Sequence, residues 1–288
     1  MGFEELIDAL VQMALAEDVG DRGDVTTRAI LQSNATMCGQ IVAKADGVIA
    51  GLPAARSVFY QIDPEVTFDA HVDDGDQVTR GTVICTLRGS ARSLLTGERT
   101  ALNFLQRLSG ISTLTRQFVE AVSGTNAVIL DTRKTTPGWR LLEKYAVRMG
   151  GGQNHRLGLF DAVMIKDNHI AAAGGITPAV ERVRAFPDVA GLPIIVEVET
   201  LAQLQEALAL GVDQILLDNM DEATMRQAVE ITAGRVPLEA SGNMSLERAA
   251  AVAATGVNFI SVGALTHSAP AFDLSMRLQQ WERNNGSS

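Results

Sequence analysis

Four apolar runs beginning at Ile194, Gln214, Pro237 and Asn258 recur at intervals of 20, 23 and 21 residues, and this spacing constrains the fold more than any other feature. Each run has strand character, and the helical segments Leu201–Leu210, Glu222–Thr232 and Leu246–Ala254 fill the gaps. A strand, a loop, a helix and a loop fit that period as one βα unit. Repeated units require a parallel sheet, because parallel neighbours can be joined only by a long crossover. Two further runs, Ala127–Asp131 and Ala162–Lys166, extend the series to six. No glycine-rich dinucleotide fingerprint follows the first strand, so an open Rossmann sheet has little support.

The runs end instead on polar or glycine residues: Asp131-Thr-Arg-Lys134, Lys166-Asp-Asn-His169, Glu197-Val-Glu199, Asp218-Asn219, Glu239-Ala-Ser-Gly242 and Ser261-Val-Gly263. Chemistry gathered at the C-terminal end of every strand is the habit of an α/β barrel. Six units fall short of eight, so the expected fold is α/β: an incomplete parallel α/β barrel of about six βα units plus an N-terminal α+β domain. The expected domains are residues 1–110, joined by a C-terminal helix over 270–284, and a catalytic barrel over 111–269.

In the N-terminal part, Phe3, Leu6, Ile7, Leu10, Val11 and Ala14 recur at helical spacing, and Gly20, Asp21, Gly23 and Asp24 end that helix in a polar turn. Short β-rich runs follow from about Ala35 to Gly89, clearest at Ile41–Ala43, Val66–Phe68 and Val83–Leu87. The stretch Val72–Gly81 looks like the hairpin of a biotinyl or lipoyl carrier, but it lacks the lysine such a hairpin presents, so it is read as scaffold. Gly97 to Val122 reads as one or two helices, with Leu102, Leu105, Leu108, Ile111, Leu114 and Phe118 on the apolar face and Gly110 as the break.

The net charge of −10 disfavours nucleic acid and anionic membrane surfaces as partners. No apolar run approaches a bilayer span, the acidic first 18 residues do not read as a signal peptide, and two distant cysteines build neither a disulfide framework nor a zinc site. A cytoplasmic location is expected.

Within this acidic chain, residues 126–170 carry seven basic against four acidic side chains, a local charge of +3. Such a concentration can focus an anionic ligand. Arg140, Lys144 and Arg148, spaced by four, read as a solvated helix face. Arg133, Lys134 and Lys166 differ, because they close apolar strands, where a lysine needs an anion or a shifted pKa. Gly150-Gly-Gly-Gln-Asn-His-Arg156 delivers His155 as a donor beside the planar fork of Arg156, a match for a carboxylate. Glu197 and Asp218, ending adjacent strands, could hold Mg²⁺ or stabilise positive charge developing on a sugar carbon. Ser241-Gly242-Asn243 and Gly263-Ala264 close the last two strands, where barrels commonly bind phosphate on main-chain N–H groups. A Schiff-base aldolase using Lys166 is the alternative enzyme class.

Taken together, these blocks resemble quinolinate phosphoribosyltransferase. The matching text is Gly97-Glu-Arg-Thr-Ala-Leu-Asn103, Asp131-Thr-Arg-Lys-Thr-Thr-Pro-Gly138, Gly151-Gly-Gln-Asn-His-Arg156, Lys166-Asp-Asn-His169, Glu197-Val-Glu199, Leu216-Leu-Asp-Asn219, Glu239-Ala-Ser-Gly242 and Ser261-Val-Gly263, in the family's order. The resemblance implies transfer of a phosphoribosyl group from phosphoribosyl pyrophosphate to quinolinate, with loss of CO₂, to make nicotinate mononucleotide for NAD synthesis. It implies Arg133, Lys134, His155 and Arg156 on the dicarboxylate, with Arg99 reaching in from the second subunit of a homodimer. Lys166 would contact the quinolinate or phosphoribosyl end. Glu197 and Asp218 would serve the ribose and its Mg²⁺, while Ser241, Gly242, Asn243, Gly263 and Ala264 bind phosphate. Lys134, Lys166, Glu197 and Asp218 are the expected catalytic residues. A homologue repurposed for another aromatic or pyrimidine ligand is a further alternative.

Overall fold

The computed structural model describes residues 2–280. Helices α1 (Phe3–Val19) and α2 (Val25–Ile30) lead into strands β1 (Thr36–Ala43) and β2 (Gly47–Val48) and helix α3 (Leu52–Ile62). Strands β3 (Thr67–Ala70), β4 (Gln77–Val78) and β5 (Val83–Ser90) then precede the long helix α4 (Ala91–Ala121). Strand β6 (Val128–Leu130), helix α5 (Arg140–Met149), strand β7 (Val163–Ile165) and helices α6 (Asp167–Ala173) and α7 (Ile176–Ala185) follow. The alternation continues through β8 (Ile194–Val198), α8 (Leu201–Ala209), β9 (Gln214–Asp218), α9 (Glu222–Thr232), β10 (Leu238–Ser241) and α10 (Leu246–Ala253). It ends with β11 (Phe259–Ser261), the short α11 (Ala264–His267) and β12 (Leu274–Gln280). Among the described residues no helix is long and apolar enough to cross a membrane.

The chain divides into two compact units. The first holds residues up to Leu114, Leu141–Gly150 and those from Ala269 onward; the second holds Thr115–Arg140 and Gly151–Ser268. The first unit is built on an antiparallel sheet of order β12-β1-β5-β3. Ile41, Val42, Ala43, Ile84, Cys85 and Leu87 bury its centre. The expected scaffold hairpin has a mechanical use: Asp74 accepts the N–H groups of Gly51 and Leu52 at 3.0 and 3.1 Å and the Tyr145 hydroxyl at 2.7 Å. It thereby caps the first turn of α3, a helix within the stretch read as β-rich, which starts from a left-handed Gly51 with Pro53 in its first turn.

Three further expectations are corrected in this unit. Gly110 does not break α4, which runs on through it. A Cβ there would come within 2.0 Å of the Pro270 carbonyl oxygen, so the glycine serves close approach rather than a bend. The C-terminal helix over 270–284 is replaced by β12, which pairs antiparallel with β1 from Met37↔Gln280 to Ala43↔Leu274; residues 281–284 lie outside the described residues. Finally, α5 belongs to this unit and is not a solvated face. Glu143 and Lys144 are wholly buried, with Arg107 Nη2 2.7 Å from Glu143 Oε1, and only Arg148 of the three spaced cations is exposed.

The second unit carries a six-stranded sheet, parallel throughout, of order β6-β11-β10-β9-β8-β7. This is the circular order of an α/β barrel. Strands β7 to β11 neighbour one another in sequence, and the last returns to pair with the first. Among the described residues β6 and β7 remain edges, so the barrel is incomplete. The free edge of β6 is partly covered by the loop after α5: Gln153 donates its N–H to Ile129 O at 2.8 Å, and Asp131 N–H donates to Gln153 O at 3.2 Å. That stapling places the Gly-rich loop beside the strand end carrying Arg133 and Lys134. Ile129, Val196, Ile215, Leu217, Ala240 and Ile260 bury the sheet, as strands covered on both faces require.

Candidate active site

Side chains two apart on a strand share a face, and laterally paired residues of a parallel sheet point the same way. Glu197, Leu216 and Glu239 are such paired neighbours on β8, β9 and β10, and Asp218 and Ser241 stand two residues further on. These residues line one cleft of about 770 Å³ at the C-terminal ends of the strands, where barrel chemistry is built. Met164 and Leu216 supply its apolar floor.

The cleft brings together nearly every residue singled out from sequence: Arg133, Lys134, His155, Arg156, Lys166, Glu197, Asp218, Ser241, Gly242, Asn243, Gly263 and Ala264. Arg99 is not among them. It is exposed on α4 in the first unit.

One wall is cationic. Arg133 Nε and Arg156 Nε are buried with no hydrogen-bond partner, although Arg156 Nη1 donates to Ala162 O at 3.2 Å. Burial, then the neighbouring Arg133 charge, lowers the pKa of Arg156. Two like charges held together with Nε donors unused, and only Asp161 offsetting Arg156, form a site that gains by taking an anion. His155 stands beside them, but both its ring nitrogens are engaged inside the chain. Nε2 lies 3.1 Å from Glu239 Oε2, and Nδ1 accepts the Arg156 N–H at 2.7 Å. His155 thus lines the cleft while its ring is oriented by Glu239 and by the main chain of Arg156.

The cleft also carries carboxylates. Burial raises the pKa of Glu197; the charge of Lys166, whose Nζ lies 3.3 Å from Glu197 Oε2, opposes the rise, and Asp218 and Asp167 add to it. Lys166 is half-exposed and ion-paired, unlike the desolvated lysine that Schiff-base chemistry uses. Asp218 accepts from Asn219 Nδ2 at 2.7 Å.

The turns after β9 and β10 contain left-handed residues. Asn219 and Asn243 have φ of 53° and 48°, and Gly242 has φ of 92°. A Cβ on Gly242 would lie 2.1 Å from Asn219 Oδ1 and 3.0 Å from its backbone nitrogen, so only glycine fits. Arg248 pins both turns, donating to Gly242 O at 3.1 Å and Met220 O at 2.8 Å, and its Nε meets Glu222 at 2.7 Å. Turns of this kind at strand ends can present main-chain N–H groups to phosphate oxygens.

Reading the sequence alone did not single out Glu239, Arg248 and His267. Alternation along β10 carried a signal for Glu239, which shares its face with Ser241; nothing local marked the other two.

The profile for the quinolinate phosphoribosyl transferase C-terminal domain matches residues 111–277, and that for the N-terminal domain matches residues 24–109. The chain belongs to the quinolinate phosphoribosyltransferase family. A probable nicotinate-nucleotide pyrophosphorylase [carboxylating] of Synechocystis is 50% identical over 280 residues, covering 95% of this chain and 92% of that protein. A protein of the same name from Bacillus subtilis is 47% identical over 262 residues, covering 90% and 89%. Among solved structures, NadC from Streptococcus pyogenes superposes with a TM-score of 0.93 at 44% identity, covering 98% of this chain and 99% of that one. Membership of the quinolinate phosphoribosyltransferase family thus extends over both units, and the cleft lies wholly within the stretch matched by its C-terminal domain.

Proposed function

We propose that this chain transfers the phosphoribosyl group of phosphoribosyl pyrophosphate to quinolinate, releasing pyrophosphate and CO₂ and forming nicotinate mononucleotide for NAD biosynthesis. The observation that carries the reading is the pair of buried, unpartnered Nε donors on Arg133 and Arg156 in the same cleft as the carboxylates Glu197 and Asp218. A dianionic pyridine needs the donors and a ribose gaining positive charge needs the carboxylates.

In this reading Arg133, Lys134 and Arg156 grip the quinolinate carboxylates and Lys166 stands between acceptor and ribose. The ring nitrogen forms a bond to the anomeric carbon while the bond from that carbon to the pyrophosphate oxygen breaks, and pyrophosphate leaves with the electron pair. Glu197 and Asp218 stabilise the oxocarbenium-like ribose through their negative charge. The alkylated ring nitrogen is cationic and accepts the electrons left when the adjacent carboxylate departs as CO₂. A proton from water then fills the vacated ring position. The protein's part in that last step is to hold the other carboxylate and limit water. Ser241, Gly242, Asn243, Gly263 and Ala264 hold phosphate on main-chain N–H groups.

Mg²⁺ fits this donor set in one way. Among the described residues no three His, Cys, Asp or Glu side chains cluster to cage a metal, whereas Glu197 and Asp218 open onto the cleft as two hard oxygen donors. That suits a cation that keeps much of its water and takes its remaining ligands from a diphosphate. When bound, it neutralises charge on the departing pyrophosphate. We further infer a homodimer in which Arg99 enters the partner's cleft, supported by its exposure and by the family's pattern of a shared site. Two free, buried cysteines support a reducing, cytoplasmic setting.

The test is direct: purified protein with quinolinate, phosphoribosyl pyrophosphate and Mg²⁺, followed for nicotinate mononucleotide by chromatography. Product that depends on each component is expected. Quinolinate neither bound nor consumed would overturn the reading.

A further inference from the structure

Arg248 sits in the first turn of α10, the helix capped by Ser245. The positive end of the helix dipole lies there, an unfavourable place for a cation. Three acceptors brought from other segments hold it. Nη2 donates to Met220 O at 2.8 Å, Nη1 to Gly242 O at 3.1 Å, and Nε to Glu222 Oε1 at 2.7 Å. Met220 follows β9, Gly242 follows β10 and Glu222 opens α9, so one planar fork joins three segments. The two turns are also joined at their bases, where Asn219 N–H donates to Ser241 O at 3.1 Å.

Arg248 works from outside the cleft. Asn219, Gly242 and Asn243 line that cleft, whereas Met220, Glu222 and Arg248 do not. The peptide after Gly242 is trans, so its carbonyl and its N–H point in opposite directions. Drawing Gly242 O toward Arg248 therefore turns the Asn243 N–H away from the guanidinium, toward the side of the cleft. Among the described residues that N–H meets no acceptor, as befits a donor kept for an anion. Asn219 and Asn243 hold φ of 53° and 48°, left-handed conformations that persist in residues with side chains only when neighbours fix them.

We propose that Arg248 is a positioning residue for phosphate recognition. Its fork fixes the carbonyls of Met220 and Gly242, so that the turns after β9 and β10 keep one shape and present the Asn243 N–H to a phosphate oxygen. The phosphate as ligand rests on the function proposed above; the tethering of the turns does not.

Hydrogen exchange of the intact protein, read by mass spectrometry without any ligand, tests the tether. Arg248→Ala should speed exchange in peptides covering the turns after β9 and β10 and the first turn of α10, while β6 and β7 keep the parent's rates. Unchanged exchange in both turns would overturn the proposal.

Calorimetry then reads the consequence. Inorganic pyrophosphate and phosphoribosyl pyrophosphate should each bind Arg248→Ala about tenfold more weakly, with quinolinate alone within about twofold of the parent. Arg248→Lys keeps the charge without the fork and should recover little of the loss. Added methylguanidinium should restore the alanine variant, and methylammonium should not. A loss shared equally by quinolinate would mark general loosening of the cleft, and equal rescue by methylammonium would mark a bare charge; either result overturns the positioning role. If the parent makes no nicotinate mononucleotide yet binds pyrophosphate in an Arg248-dependent way, the functional reading fails and the positioning role stands. A parent that binds no pyrophosphate would remove the phosphate site, and this proposal with it.

Discussion

Lys166 Nζ lies 3.3 Å from Glu197 Oε2, so one ion pair ties the ends of the adjacent parallel strands β7 and β8 at the cleft. The pair is unequal: Glu197 is largely buried and Lys166 half-exposed, and burial outweighs the lysine in setting the carboxyl's pKa above its ordinary value. A carboxyl raised in this way costs stability once ionised. The cost is absent below the unfolded value and fully present above the folded one.

The first prediction follows from that sign. Glu197→Gln removes the cost, so its Tm near neutral pH should equal or exceed that of the parent, and the difference should shrink as pH falls toward about 4. Turnover should drop by about two orders of magnitude or more, as for loss of a group that stabilises transition-state charge. Thermal unfolding at the two pH values with parallel assays checks both; a clear loss of stability near neutrality would contradict the argument.

Arg133 tests the cationic wall. Arg133→Lys keeps a positive charge but loses the planar fork. Hydrogen bonds to charged groups contribute about 1.5–3 kcal/mol, so quinolinate affinity should fall roughly 10- to 150-fold in calorimetry. Unchanged affinity would remove Arg133 from the binding site.

Gly242 tests the main-chain turns. An added methyl would meet Asn219 Oδ1 at 2.1 Å at a φ of 92°, so Gly242→Ala must distort the turns after β9 and β10 together. We expect a loss of about 1–3 kcal/mol in urea unfolding and a raised KM for phosphoribosyl pyrophosphate, with quinolinate binding less affected.

Gly110 sets helix propensity against packing. Alanine should gain about 1 kcal/mol inside a helix, yet its Cβ would stand 2.0 Å from Pro270 O. We expect packing to win, with Gly110→Ala net destabilising and its urea midpoint lowered. A stabilised variant would show that the segment around Pro270 shifts freely.

Much of this protein was legible locally. The 20-to-23-residue spacing of apolar runs foretold the parallel sheet, because a strand and a helix that each bury a face leave their periods in the text. The polar residues closing each run foretold the cleft, because the C-terminal ends of barrel strands converge there. Even β12 left a trace: Leu274, Met276 and Leu278 alternate with Ser275, Arg277 and Gln279, a period of two that tells against the expected helix.

What only the tertiary structure decided depends on partners distant in sequence. Lys144 and Arg148 share a spacing on α5, yet one is buried and the other exposed, since burial depends on what packs against the helix. Gly110 looks like a helix breaker until Pro270, 160 positions on, occupies the space its side chain would need. His155 looks locally like a loop residue until Glu239 of β10 is found 3.1 Å from its ring Nε2. The sequence by itself determined the strands and helices of the parallel sheet and most of the residues that reach the cleft, because periodicity and chain order are local properties, while α3 and β12 took their form from the sheet they pack with. The directions of the hydrogen bonds there, and hence which groups remain free for a substrate, were determined only by folding, because a donor is engaged only when an acceptor is brought to it.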